Sequence, residues 1–199
     1  MGTAVPLSLL MLNLASCTAL RGPAFAAPAL GDTFSWDFLN RAPDRAAASK
    51  LLPQERIGRV YSASLPLDLP RPLRPLASLL ASMPIAGPRM SHQMVIVEVG
   101  DATILGESIA FLLLDFEPLD KTSPSATLTL LSGGSMPGNL RERLLTRLPS
   151  RALEIGTARE GACLGDVRAV AEGWDKELRL LSNDCASYAD ALLETLAPK

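Results

Sequence analysis

The chain holds a single histidine, His92, and three cysteines, Cys17, Cys163 and Cys185. His92 stands in Ser91-His92-Gln93-Met94, at the start of a β-branched run. Cys185 stands in Asn183-Asp184-Cys185-Ala186-Ser187-Tyr188, in the first turn of a well-patterned amphipathic helix. The positive end of a helix dipole stabilises a thiolate placed there. A His on a strand and a Cys at a helix start form the minimal pair for thiol nucleophilic catalysis. The blander readings stand beside this one. Free cysteines are commonly small buried hydrophobes, and a lone His is more often a satisfied core or surface residue. Asp184 puts a negative charge next to the sulfur, which opposes a thiolate. Cys163 follows Gly161-Ala162 and precedes a helix, which makes it the fallback nucleophile.

A third member can be sought by strand geometry. If residues 94–99 and 108–116 pair antiparallel through a loop over 100–107, Val99 faces Ser108 and His92 faces Asp115. A carboxylate there would orient the imidazole, as the third member of a triad does. Equally, Asp115 could end its strand and cap a turn before Pro118. Gln93 points to the other face of the strand and is a poor candidate for that reason.

The chain has 199 residues with 19 basic and 21 acidic side chains, a net charge of -2. That balance excludes a basic nucleic-acid-coating protein. Aromatic residues make up only 5%, too few for a stacking platform for single strands. One His and three Cys do not suit a structural zinc site, and an odd Cys count is a poor disulfide framework. Gly133-Gly134-Ser135-Met136-Pro137-Gly138 lacks the Lys-Ser/Thr of a phosphate loop and reads as a tight turn. No cofactor and no metal are expected.

The elements that must position the pair follow from local pattern. Residues 94–99, 108–116 and 126–131 read as strands, each ended by a turn signal. Asn139 can cap a helix over 140–148, with leucines at i, i+4, i+5 and i+8 before Pro149. Its Arg141, Arg143 and Arg147, with Arg151, read as a solvated basic face, or else as a contact for an anionic substrate or lipid headgroup. Residues 151–155 read as a fourth strand, 164–174 as a helix, and 177–181 as extended. The last helix covers 185–196, capped by Asn183 or Asp184, with Tyr188, Leu192 and Leu196 on one face. The expected fold class is α+β, a small antiparallel sheet packed on helices after a disordered N-terminal leader.

Eleven of the 16 prolines fall in the first 88 residues, which carry net +3, and the remainder carries net -5. Proline at this density removes backbone donors, so 32–88 reads as a largely disordered linker or transit-like segment. Residues 1–31 read as a targeting leader: a mostly apolar run over 4–20, then small residues. Three domains are therefore expected: leader 1–31, linker 32–88, and a folded domain 89–199.

Ala24-Phe25-Ala26-Ala27-Pro28 is similar to the Ala-Phe-x-x-Pro junction of bipartite plastid-targeting leaders, which implies a plastid location; secretion or membrane anchoring are the alternatives. Any membrane contact would come through this leader if it is not cleaved. The order of His strand, then Asn-Asp-Cys opening a late helix, resembles circularly permuted papain-like (NlpC/P60-type) domains. Further motifs resemble a group of uncharacterised plant and algal plastid-associated proteins: Asp115-Phe116-Glu117-Pro118, Leu131-Ser132-Gly133 through Pro137-Gly138, Trp174-Asp175 through Leu178-Arg179, and Asp184-Cys185 through Tyr188. Ala186 stands where those proteins carry Arg, and Ser187 where some carry His. The resemblance spans roughly residues 90–196. It implies a Cys185 nucleophile, a His92 base and Asp115 as orienter, acting on an amide, ester or thioester through a covalent acyl-enzyme. The alternative is a catalytically silent papain-like domain with a binding or structural role in the plastid.

Overall fold

In a computed structural model the described residues are Ser35, 48–67, 91–104, 107–121 and 123–197. They hold six strands and three helices: β1 (Arg59–Pro66), β2 (Ser91–Ile104), β3 (Glu107–Pro118), α1 (Pro124–Leu131), β4 (Met136–Leu145), β5 (Leu153–Thr157), α2 (Leu164–Gly173), β6 (Glu177–Leu178) and α3 (Cys185–Leu196). The strands form one open sheet in the order β5-β1-β2-β3-β4-β6, and every pair is antiparallel. The fold class is α+β. No helix among the described residues is long and apolar enough to cross a membrane.

The central strands are buried on both faces, which explains their unbroken apolar runs. On one face Val60, Val95, Val97, Leu112, Leu114, Phe116 and Leu144 form a core with α2 and α3. On the other, Tyr61, Ala63, Leu65, Met94, Ile96, Leu113 and Leu145 pack together. Helix α3 covers β2 and β3 with Tyr188, Leu192 and Leu196, all buried. Burial of side chains of this size stabilises by about 1.5–3 kcal/mol each. An aromatic chain locks that helix in place: Phe116 meets Tyr188 edge to face at 6.1 Å, and Tyr188 meets Trp174 at 5.2 Å. Gly138 lies under the Phe116 ring, where a Cβ would overlap it.

Four expectations from sequence are corrected. Residues 126–131 are helical, not extended: Ser123 caps α1 by accepting from the Ala126 amide at 3.3 Å, and Pro124 sits in the first turn, where its missing N–H costs nothing. The helix expected over 140–148 is instead β4, paired with β3 from Phe111↔Leu145 to Pro118↔Gly138. Its charges are not a solvated helix face. Arg141 reaches Asp115, and Glu142 is held by Arg168 on α2 at 3.0 Å. Ion pairs of this kind let a strand of mixed polarity lie inside a sheet.

The third correction concerns the segment 32–88. Residues 59–66 are a full strand between β2 and β5, and Ala48, Leu51 and Ile57 are buried in the core. Arg168 donates to the carbonyls of Leu51 and Ala48 at 2.9 and 3.0 Å. The folded domain therefore begins at or before Ala48, not at 89. The leader over 1–31 and residues 68–88 of the expected linker lie outside the described residues.

The fourth is the register of β2 with β3. The strands run on through Ile104 and Glu107, and a bulge falls between Glu98 and Ala102. Met94, not His92, is opposite Asp115. The shift is two residues, so His92 and Asp115 keep the same face and become diagonal neighbours.

Candidate active site

The Cys185 side chain is placed by the way α3 begins. Asp184 is its N-cap: one carboxylate oxygen accepts from the Ser187 amide at 2.9 Å and from its hydroxyl at 3.0 Å. The other oxygen accepts from the Leu181 amide at 2.8 Å. The charge expected to oppose a thiolate is thus spent on the helix end, as N-cap carboxylates are. Leu181 takes a left-handed conformation, φ 69°, which a non-glycine residue holds only under constraint from its surroundings. Asn183 supplies part of it, donating to the carbonyls of Asp175 and Glu177 at 2.8 and 2.7 Å. The loop that delivers the sulfur is therefore tied to β6.

Cys185 Sγ meets the first residues of β2. The Gln93 amide donates to it at 3.5 Å, and the thiol donates to the Ser91 carbonyl at 3.8 Å. Gln93 lies one residue beyond the last β2–β3 pair, so its amide is available to the sulfur. Cys185 also acts on the His92 ring and raises its proton affinity. On its far side His92 Nε2 lies 3.1 Å from Asp115 Oδ2. That contact leaves Nδ1 as the ring nitrogen for the thiol.

Asp115 is fully buried and His92 nearly so. Burial of the ring pulls its proton affinity down. The hydrogen bond and negative charge of Asp115, together with Cys185, outweigh burial and raise the His92 pKa from 6.5 to about 9. For Asp115, burial alone would raise the pKa. Its bond to His92 and the charges of His92 and Arg141 win, and lower it from 3.8 to about 2. The couple is an imidazolium–carboxylate pair at neutral pH.

Sequence reasoning missed Arg141. Its guanidinium forks onto Asp115, Nε to Oδ1 at 3.2 Å and Nη2 to Oδ2 at 2.9 Å, and also pairs with Glu117. Once β4 is a strand, register alone puts Arg141 opposite Asp115. The basic triplet around Glu142 was the available signal, read with the wrong period. His92, Asp115 and Glu117 bring donor atoms within 4.8 Å of one another, a set that could hold a divalent cation by donor type. Arg141 already supplies the positive charge to both carboxylates.

The sulfur and the His92 ring open on a cavity of about 100 Å³ lined by Phe116, Leu130, Met136, Leu178 and Leu180, with Glu117 and Lys121. Cys163 is elsewhere, as N-cap of α2 in a capping box with Asp166. Its amide donates to Asp166 at 3.0 Å, so its position is explained by helix termination.

No protein-family model, no curated protein and no solved structure matches this chain.

Proposed function

We propose that the chain is a thiol hydrolase or acyltransferase acting on an amide, ester or thioester, built as a circularly permuted papain-like domain. One observation carries the reading: Cys185 at a helix start takes the Gln93 amide and meets the Ser91 carbonyl on either side of His92, whose ring is held by a buried Asp115. The chain order supports the permuted arrangement, since the His strand precedes the Cys helix and that helix packs on the same sheet.

The chemistry follows the groups in place. The Cys185 thiolate attacks the carbonyl carbon, forming an S–C bond while the carbonyl π pair moves to oxygen. Cys185 and Ala186, as first residues of α3, have amides without an acceptor inside the helix, and these are the donors on hand for the oxyanion. Collapse breaks the bond to the leaving group, which takes its proton from the His92 imidazolium. Water or a second acyl acceptor then attacks the thioester, giving its proton to His92 as the S–C bond breaks. Asp115 fixes the ring throughout and stabilises its charged form.

The plastid reading rests on the sequence at residues 24–28 and belongs to the same proposal. The test is to offer the purified chain a p-nitrophenyl ester and to look for an acyl group on Cys185 by peptide mass mapping. A burst of nitrophenol with an acylated Cys185 peptide is the expected result. A sulfur that stays unmodified under turnover conditions, with no ester consumed, would leave the silent domain as the better reading.

A further inference from the structure

The segment leading into α3 does two things at once. It carries Leu178 and Leu180 into the wall of the cavity beside the sulfur, and it delivers Cys185 itself. Asn183 ties this segment together: its side chain donates to the Asp175 and Glu177 carbonyls, and its own carbonyl accepts from the Arg179 amide at 2.9 Å. Wall and nucleophile therefore keep a fixed spacing. Across from Leu178, β4 supplies its register partner Met136. Phe116 from β3 and Leu130 from α1 add to the lining, and both are buried.

Charged groups also line the cavity, but each is engaged. Glu117 takes Arg141 and Lys121, Asp120 accepts from the Ser123 amide at 3.2 Å, and Asp184 serves the cap of α3. A mostly apolar wall offers water few partners and favours an apolar guest. The volume, about 100 Å³, sets a bound on that guest. A cavity of about 150 Å³ lined by similar side chains holds benzene, so two-thirds of it takes about four carbons.

The covalent chemistry says which part of a substrate belongs there. The acyl chain is the part that stays on the sulfur through both transition states. The leaving group takes its proton at His92 and departs, and the next acceptor comes in past the same ring. A wall fixed relative to Sγ is thus met by the acyl chain throughout, and its contacts count toward both transition states. We propose that this cavity is an acyl pocket, and that the substrate is an ester, thioester or amide of an uncharged aliphatic acid of about five carbons, with about four of them in the pocket. The inference rests on the thiol reading and adds the acyl group to it.

The test is a series of p-nitrophenyl esters, from acetate through pentanoate to hexanoate and octanoate, offered to the full chain. The Cys185 thiolate forms the S–C bond, the ester C–O bond breaks, and nitrophenolate departs with its electron pair. Each second-order acylation rate is divided by that of free cysteine with the same ester, and the acyl group is located by peptide mass. From acetate to pentanoate the ratio should rise about fourfold per methylene, the equivalent of about 0.8 kcal/mol for a buried CH2. Hexanoate and octanoate should bring no further rise. Leu180→Phe should move the break to a shorter chain and Leu130→Ala to a longer one; if either fails to fold, the other and the wild-type series decide. A flat series, a rise that continues through octanoate, or a break that stays put in the folded variants overturns the acyl pocket while leaving the thiol reading intact. A Cys185 left unmodified by every ester overturns the thiol reading and the pocket with it.

Discussion

The Gln93 amide donates to Cys185 Sγ at 3.5 Å from the same strand that carries His92. One short stretch of β2 thus meets the sulfur through the Gln93 amide and the Ser91 carbonyl, with His92 between them. Sequence reasoning set Gln93 aside because its side chain points away from His92, and that side chain does bond elsewhere, to Ser91 Oγ at 2.6 Å. Its backbone is what matters.

Cys185→Ala is expected to abolish acylation by p-nitrophenyl esters, and His92→Ala to do the same. Cys163→Ala should leave acylation unchanged, since Cys163 serves the cap of α2. Cys185 is only partly buried, so its truncation should cost on the order of 1 kcal/mol or less in urea unfolding. Loss of acylation in Cys163→Ala instead would move the nucleophile.

Asp115→Asn is expected to be severe rather than mild. The carboxylate is fully buried and serves His92 and Arg141 at once, so the amide leaves the buried His92 ring short of an anion. Breaking a buried pair by removing one partner costs about 3–5 kcal/mol. Denaturant unfolding measures that loss, and a change within the error of the wild type would show that the pair contributes nothing to stability.

The pH dependence of stability should carry the mark of the same couple. The folded protein holds the His92 proton up to about 9 against an ordinary 6.5, so this contribution is whole below 6.5 and fades as pH rises through about 9. Asp115 is held down to about 2 against 3.8, so its contribution is whole above 3.8 and fades as pH falls toward 2. Both are whole between those two ordinary values. The difference in unfolding free energy between the wild type and His92→Gln should be greatest in that window and shrink as pH rises from 6.5 through about 9. A difference that grows with pH would reverse the assigned charge state.

How much of this was legible in the sequence varies with where the information sits. Helix α3 was legible from end to end because its cap, its leucine spacing and its stop are all local. Its relation to His92 was legible through chain order and chemistry. The register of β2 on β3 was not, since it turns on a bulge beyond Glu98 that no local residue announces. The error was two residues, which period-two alternation forgives, and the His92–Asp115 contact survived it. Strand β4 was misread because leucines at 140, 144, 145 and 148 imitate a helical stripe. Arg141 and Glu142 declare a strand only once their partners on β3 and α2 are known.

Strand β1 was hidden differently. Counting prolines over 88 residues averaged a real strand into its surroundings, although Val60, Tyr61, Ala63 and Leu65 read as β on their own. The structure pairs β1 with β2 over seven positions, from Val60↔Val97 to Pro66↔Ser91, and with β5 on its other side. Residues 53–57 continue the attachment: the Leu164 and Gly165 amides donate to the Glu55 and Pro53 carbonyls at 3.0 and 2.7 Å, and the Ile57 amide to the Ala162 carbonyl at 3.1 Å. Removing this segment would strip β2 and β5 of a neighbour and expose Met94 and Ile96, each worth about 1.5–3 kcal/mol buried. A domain's whole stability is only about 5–15 kcal/mol. A chain begun at Met90 is therefore expected to show no cooperative thermal transition, while one begun before Ala48 should unfold cooperatively. Limited proteolysis of the full chain should leave a core fragment that retains residues 48–66. Recovery of a stable, cooperatively folded piece starting near Met90 would show that β1 is dispensable and would restore the linker reading.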